Sequence, residues 1–474
     1  MAVEPPSPPE SPRPWSERAA PLTPGGARTG DARPRDAAGP RDAAGAPGTG
    51  PATARLVGVD VARALAVLGM FAAHVGPDPH AGGPAAPLAQ LTHGRSSALF
   101  ALLAGVSIAL LSGGARPHRG ARLGRSAIRI AVRAVLLLPL GMYLTSLGTG
   151  VLVILTCYGA YFLLALPLIG LRARALAVCA AVAAVAGPLL SFAVRDATTP
   201  EAHAYESDAV MRFEDWSSPA ALGDAVWATL VTGSYPALTW MPFVLAGMAV
   251  GRLDLRSFGV RAGLLLGGGV CALLGYGTSR VLLYGFGWAE RLDELAAGQY
   301  VGGGALSPFE RAMDYRVGTV PVDDAAWLLV ASPHSGTVFE VVGATGTALV
   351  VLALCLVAAD RLPGALAPLA AVGALALTAY TAHLLAIRVL LGGLGTSAGL
   401  LGWPLWWMFA LLTVAGCWMW RSTVGRGPLE ALLHQVSLAV ATLLLPRPAG
   451  AAPEGGARPG AAPGGRRPGD PPIG

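Results

Sequence analysis

The chain alternates long apolar runs with short polar connections. A membrane-crossing helix needs roughly 20 apolar residues. Ten runs approach that length, near 56–76, 96–112, 127–146, 150–170, 174–194, 235–252, 262–286, 338–359, 366–391 and 402–420. The second and sixth are short. The second lengthens if its helix starts at about 93, the sixth if its helix starts as far back as 226. A further run, 429–445, is either an eleventh helix or one lying on the bilayer surface; its Glu430, His434 and Gln435 favour the surface. The pattern predicts an all-α, polytopic membrane bundle of about ten transmembrane helices. Residues 1–54 and 448–474 are rich in Pro, Ala, Gly and Arg and hold no apolar run. They are read as disordered tails, and the first lacks the apolar stretch of a signal peptide.

The first run carries unusual polar positions. Asp60 and Arg63 are three residues apart and share one helix face. Charge inside a bilayer costs roughly 2.5–3.5 kcal/mol on insertion scales, so such groups are paired or functional. His74 lies fourteen residues beyond Asp60, about 21 Å along a helix. One helix therefore carries polar chemistry at both membrane faces. Asp60 and Arg63 are read either as a structural ion pair or as substrate-binding groups.

Composition agrees with the pattern. Of 474 residues 53% are hydrophobic and 13% charged, with mean hydropathy +0.55; soluble domains carry about 25% charged residues. The basic side chains are all arginine and lie mostly in tails and short connections. There they set topology, so the net charge of +6 is not read as nucleic-acid binding. Arg116, Arg119, Arg122 and Arg125 follow the second run. Arg172 and Arg174 follow the fourth, Arg252, Arg256 and Arg261 the sixth, Arg361 the eighth, and Arg421 and Arg426 the tenth. Ten helices with both ends cytoplasmic, in the cell membrane, satisfy the positive-inside rule at every turn. Two long connections, 195–224 and 287–337, then face outwards; the first is acidic and the second holds Asp314 and His334. The five cysteines show no CxxC spacing and read as packing residues, and no metal-ligand spacing is found.

This topology gathers scattered residues at outer depth. His74, Asp78 and His80 follow the first helix, and His93, Arg95, Ser96 and Ser97 precede the second. Tyr380, His383 and Arg388 fall in the outer half of the ninth, with Arg280 and Glu340 at similar depth. Imidazole, carboxylate and guanidinium groups together support proton transfer and anion binding. Plainer readings stand beside this one. The histidines can be interfacial or bridge helices, Arg280 and Arg388 can snorkel, and the stretch from His93 to Ser97 can be a serine-capped helix start. No serine-nucleophile elbow, phosphate loop or dinucleotide fingerprint is present. Gly267, Gly268 and Gly269 read as helix-packing glycines.

The opening Arg55-Leu-Val-Gly-Val-Asp60-Val-Ala-Arg63, with His74 at the helix end, resembles the first helix of membrane acyltransferases of the heparan-α-glucosaminide N-acetyltransferase type. The run HGRSSALFALLAGVSIAL, 93–110, resembles the second helix of bacterial members. GSYPALTWMPFVLAGMAVGR at 233–252, the segment 332–356, GALALTAYTAHLL at 373–385 and GRGPLEALL at 425–433 resemble the domain-of-unknown-function 418 group, which includes YeiB-like membrane proteins. There are two departures. Eukaryotic relatives often carry Asn where His74 stands, with the essential histidine in the following loop, a role open to His80 or His93. The usual Arg-Gly is here Arg63-Ala64.

The resemblance implies an enzyme that passes an acyl group, with acetyl-CoA as donor and no metal, across the bilayer to a small-molecule or glycan hydroxyl or amine. The expected catalytic groups are His74, His93, His383 and Asp78. Asp60, Arg63, Arg95, Arg280 and Tyr380 are expected to bind substrate. CoA phosphates would meet the Arg-rich connection 116–133. His74 or His93 would be the base or acyl carrier, Asp78 would orient it, and Tyr380, His383 or Arg280 would hold the oxyanion. The expected organisation is a membrane half 55–252 bearing the acyltransferase motif and a second half 253–447, between cytoplasmic tails. A transporter with a proton-relay cluster and a noncatalytic scaffold are the alternatives.

Overall fold

The computed structural model describes residues 56–77, 86–198, 210–299, 306–394 and 402–445, and these are helical throughout, without a β-strand. In the first membrane segment α1 spans Val57–Val75, α2 Ala86–Thr92, α3 Arg95–Leu111, α4 Gly120–Ser146, α5 Leu155–Ala165 and α6 Ala173–Thr198. Then come α7 Pro219–Trp227, α8 Ala237–Val250, α9 Phe258–Ala272 and the short α10 Thr278–Arg280, which π-helical turns join to α9 in one rod ending at Gly285. The second large connection contains α11 Trp288–Ala296 and α12 Pro308–Tyr315. The chain ends with α13 Val338–Arg361, α14 Ala367–Ala374, α15 Ala376–Leu394, α16 Trp403–Thr423 and α17 Pro428–Leu444.

Each of the ten apolar runs forms helix, and so does the eleventh. Six spans among the described residues are long and apolar enough to cross a membrane, or eight if each of two bent pairs is one span. Leu155–Leu168 and Ala237–Val250 are shorter. The lengths differ from the sequence reading for local reasons. The second span is long, Ala89–Leu111, because α2 leads into α3. The fourth is short because Gly148 and Gly150 adopt positive φ, 63° and 75°, and turn the chain before α5. The sixth does not reach back to 226 as one helix, since the Gly233–Pro236 connection separates α7 from α8.

The packing suits lipid outside and close backbones inside. Val178, Leu266, Leu273 and Leu412 are each at least 60% exposed on the periphery. Inside, α3 and α8 touch at glycines: a Cβ on Gly247 would overlap the Leu102 carbonyl, and one on Gly105 the Val244 carbonyl. Of the three glycines at 267–269 only Gly268 is in such contact, against Gly346 of α13.

Two breaks shape the C-terminal helices. α14 and α15 meet at 80°, and α16 and α17 at 50°. The exposed backbone start of α15 is satisfied from α17. Glu430 Oε1 accepts the Leu377 and Thr378 N–H groups at 2.8 and 3.1 Å, and Thr378 Oγ1 donates to Oε2. Glu430 therefore does not mark a surface-lying helix; it caps another helix, and α17 packs along α4. At the same break Gly373 presses on the Asp60 carbonyl of α1, leaving no room for a Cβ.

Candidate functional site

At the end of the bundle remote from the arginine-rich connections lies a chamber of about 280 Å³. Its walls include His74 at the end of α1, His93 ahead of α3, Tyr235 ahead of α8, His334 ahead of α13 and Tyr380 of α15. The turn that shortens α5 supplies Thr149 and Gly150. A neighbouring polar cavity of about 330 Å³ is lined by Gln90, Arg95, Glu310 and Ser332, and shares His93 and Asp314 with the chamber.

His74 is joined directly to α15. Its Nδ1 lies 3.0 Å from His383 Nε2, with the rings stacked at a 5.2 Å centroid distance. His383 is buried, packs on Phe71, and bonds through Nδ1 to the Tyr380 carbonyl one turn earlier. A carbonyl only accepts, so in the neutral pair His383 carries its proton on Nδ1. His383 Nε2 is then a lone pair, and His74 must donate to it from Nδ1. The bond pattern thus leaves His74 Nε2 as the unprotonated nitrogen of a residue that lines the chamber. This carbonyl–His–His chain fixes a tautomer in the way a hydrogen-bonded carbonyl or carboxylate fixes a metal-bound histidine.

His334 also lines the chamber. Its ring stacks on Trp240 at 5.7 Å and meets Tyr235 and His93 edge-on at 5.6 and 6.2 Å. Burial foremost, then the nearby His93 and His74, pushes its pKa down to about 3, so it is neutral at physiological pH. Burial likewise raises the Tyr235 phenol far above its usual range, so it stays protonated. Tyr235 Oη donates to the Leu152 carbonyl at 3.3 Å.

The expected residues divide between two regions. His74, His93 and Tyr380 line the chamber, and His383 backs His74. Arg95 lines the adjoining cavity, with its guanidinium 4.8 Å over the Tyr276 ring. Arg280 is exposed against Tyr284 and lines neither cavity, so it is not placed to hold an oxyanion there. Asp78, expected to orient His74, and His80 lie outside the described residues; the partner found for His74 Nδ1 is His383. Ser96 and Ser97 do not cap α3. Gly94, at φ 69°, takes the N-cap position, and the two hydroxyls donate back to the Thr92 and Gly94 carbonyls. Tyr235, Asp314 and His334 were not singled out as site residues, although His334 is the one histidine directly ahead of the eighth apolar run.

Asp60 and Arg63 lie at the other end of α1. They pair at 3.0 Å, and Arg63 also donates to the Gly373 carbonyl and Ser107 Oγ. Both are turned into the bundle, and Arg63 lines an amphiphilic cavity of about 250 Å³ with Arg133, Tyr158 and Glu430. On the arginine-rich face, Arg116, Arg119, Arg172 and Arg174 surround an open cavity of about 650 Å³. Arg252 anchors its floor, bonding the carbonyls of Ala109, Gly114 and Ile169 and Ser112 Oγ. Burial lowers the Arg252 pKa. No cluster of three or more His, Cys, Asp or Glu side chains suited to a metal ion occurs among the described residues.

Two known families match the chain. Residues 55–268 match "Heparan-alpha-glucosaminide N-acetyltransferase, catalytic", and residues 317–439 match "Protein of unknown function (DUF418)". No curated protein matches it significantly. The chamber draws His74, His93 and Tyr235 from the first region and His334 and Tyr380 from the second. The chain is thus a helical membrane protein in which, in order, one region matches the heparan-alpha-glucosaminide N-acetyltransferase catalytic family and a second matches the DUF418 family.

Proposed function

We propose that the protein is an integral membrane acyltransferase that moves an acetyl group from acetyl-CoA to a hydroxyl or amine acceptor on the far side of the bilayer. The observation that carries this reading is the hydrogen-bond chain from the Tyr380 carbonyl through His383 to His74, which leaves His74 Nε2 unprotonated at a chamber wall. His74 lies within the region that matches an acetyltransferase catalytic family, and Tyr380 and His383 lie within the DUF418 region.

Acetyl-CoA enters from the arginine-rich, cytoplasmic face, where Arg116, Arg119, Arg172 and Arg174 suit its phosphates. The thioester passes the Arg63 cavity towards the chamber. His74 Nε2 takes the acceptor proton as the acceptor attacks the acetyl carbon, and then returns it to the CoA sulfur. His93, shared by the two outer cavities, contacts the acceptor. Attack by His74 itself, with an acetyl-histidine intermediate, uses the same lone pair. Ten crossings with both ends cytoplasmic fit this scheme, with Leu155–Leu168 and Ala237–Val250 as short interior spans.

The test uses the full chain in proteoliposomes with labelled acetyl-CoA and a cell-envelope extract as acceptor. Label should move to acceptor or protein, and His74→Ala should remove it while expression and melting hold. No transfer by the wild-type chain, or full transfer by His74→Ala, would refute the reading. One observation favours a second reading, a transporter: the 80° break between α14 and α15 resembles the discontinuous helices of transport sites. Solute flux without acetyl-CoA consumption would select it.

A further inference from the structure

His334 is held in a conformation that its sequence does not favour. Its φ is +60°, the only positive φ of a non-glycine residue among those described. That region costs an L side chain energy and is characteristic of residues fixed for function. The turn is tied down on every side. The His334 carbonyl accepts the Gly318 N–H at 2.8 Å. The Glu340 carboxyl sits beside the His334 and Gly336 backbone. A Cβ on Gly94 would stand 2.5 Å from Pro333 Cβ, so only glycine lets the α3 start approach this turn. The outcome is a half-buried imidazole packed against Trp240, Tyr235 and His93 and lining the same chamber as His74.

The ring has an asymmetry. His334 Nδ1 is buried and has no hydrogen-bond partner. A buried bare lone pair is a smaller penalty than a buried orphan N–H, which native structures almost never tolerate. The neutral ring therefore carries its proton on Nε2. Arg280 is remote, and His383 has both nitrogens engaged with Tyr380 and His74. The chamber is thus lined by both a base, His74, and a neutral N–H donor, His334.

We propose that His334 is a catalytic residue, donating Nε2–H to the carbonyl oxygen of the acyl group as negative charge develops there. The inference rests on the acyltransfer reading above and completes its chemistry. The acceptor oxygen or nitrogen bonds to the acetyl carbon and its proton goes to His74 Nε2. The carbonyl π pair moves to oxygen, where His334 holds it. Collapse breaks the carbon–sulfur bond, and the CoA sulfur leaves with the proton from His74. A neutral imidazole held far below its usual pKa suits this task, because it donates without first being deprotonated by solvent or competing as a base. The DUF418 region would then supply the electrophilic half of the site, and the N-terminal region the base.

Loss of one oxyanion donor typically costs about 10²–10³ in turnover. The experiment compares wild type, His334→Ala and His334→Gln in proteoliposomes, reading acetyl transfer, binding of acetyl-CoA, and binding of a CoA analogue whose thioester is replaced by a tetrahedral phosphonate. His334→Ala should lose about 10²-fold in turnover and weaken the phosphonate by a similar factor, with acetyl-CoA binding unchanged. His334→Gln, whose amide still donates, should recover part of both. Equal weakening of both ligands, or an unchanged phosphonate affinity, overturns the proposal, because a purely structural role would not discriminate between them. Wild-type turnover with undiminished turnover in His334→Ala removes this proposal alone. A wild-type chain that never transfers acetyl removes the underlying reading and this proposal together.

Discussion

Replacing His383 tests the relay behind His74 without touching the chamber. His383→Ala removes the acceptor of the His74 Nδ1–H and the donor to the Tyr380 carbonyl. A buried N–H left unpaired costs about 1–3 kcal/mol. That same energy is what holds His74 in the useful tautomer. At about 1.4 kcal/mol per factor of ten, its loss erases a tautomer preference of about tenfold and leaves a large share of His74 rings with the proton on Nε2, where they cannot act as base. The imidazolium formed during transfer also loses its partner. We expect a fall in turnover of about 10²-fold, at the lower end of the range for loss of a general base. His383→Gln can accept from His74 Nδ1 through its amide oxygen and should restore about tenfold of that. The assay is initial-rate CoA thiol release from acetyl-CoA in proteoliposomes, with thermal melting measured on each variant. His383→Ala turning over within twofold of wild type, with unchanged melting, would show that the His74–His383 contact does not prepare the base.

Three further outcomes are expected. Glu430→Ala should lower stability by about 1–2 kcal/mol, the scale of losing a helix cap, because Leu377 and Thr378 lose their acceptor; a melting curve unchanged from wild type would contradict the capping role. Gly247→Ala should cost about 1–3 kcal/mol by forcing α8 off the Leu102 carbonyl, whereas Gly267→Ala, with nothing near its would-be Cβ, should be neutral or slightly stabilising. The third concerns pH. His334 titrates at about 3 in the folded chain against about 6.5 unfolded, so between those values the unfolded chain binds the extra proton. Its contribution is present above about pH 6.5 and is lost as pH falls towards 3; His334→Asn should flatten the acid limb of a stability–pH curve, and an identical slope would contradict the buried neutral imidazole.

The helices were legible because apolar runs of bilayer length leave the backbone few alternatives. Their breaks were less so. The 80° bend near Leu375 has no proline at the junction; it depends on Gly373 meeting α1 and Glu430 reaching over from α17, contacts more than 50 residues distant in sequence. Helix direction brought His74 and His383 to one depth, and the structure joins them. The same reasoning put Arg280 at that depth but could not give its azimuth, which faces outwards. His334 was hidden for a different reason: it stands in a connection without periodicity, and its marker, a positive φ, is conformational rather than compositional.

The seam between the two family regions has a consequence for how such a protein can be taken apart. α1, of the first region, is clamped by the second, with the Gly373 backbone against Asp60, Trp406 donating to the Leu68 carbonyl and His383 bonded to His74. Neither region should behave as a module in the sense of something that folds and works when lent to another chain. Expressed as separate fragments, each should be inert, and activity should return only when both are made in the same membrane and dock. For the same reason a graft of either region onto a related chain should succeed only if the α1 facing residues travel with it. The chamber the two regions share, with walls from each, is the reason.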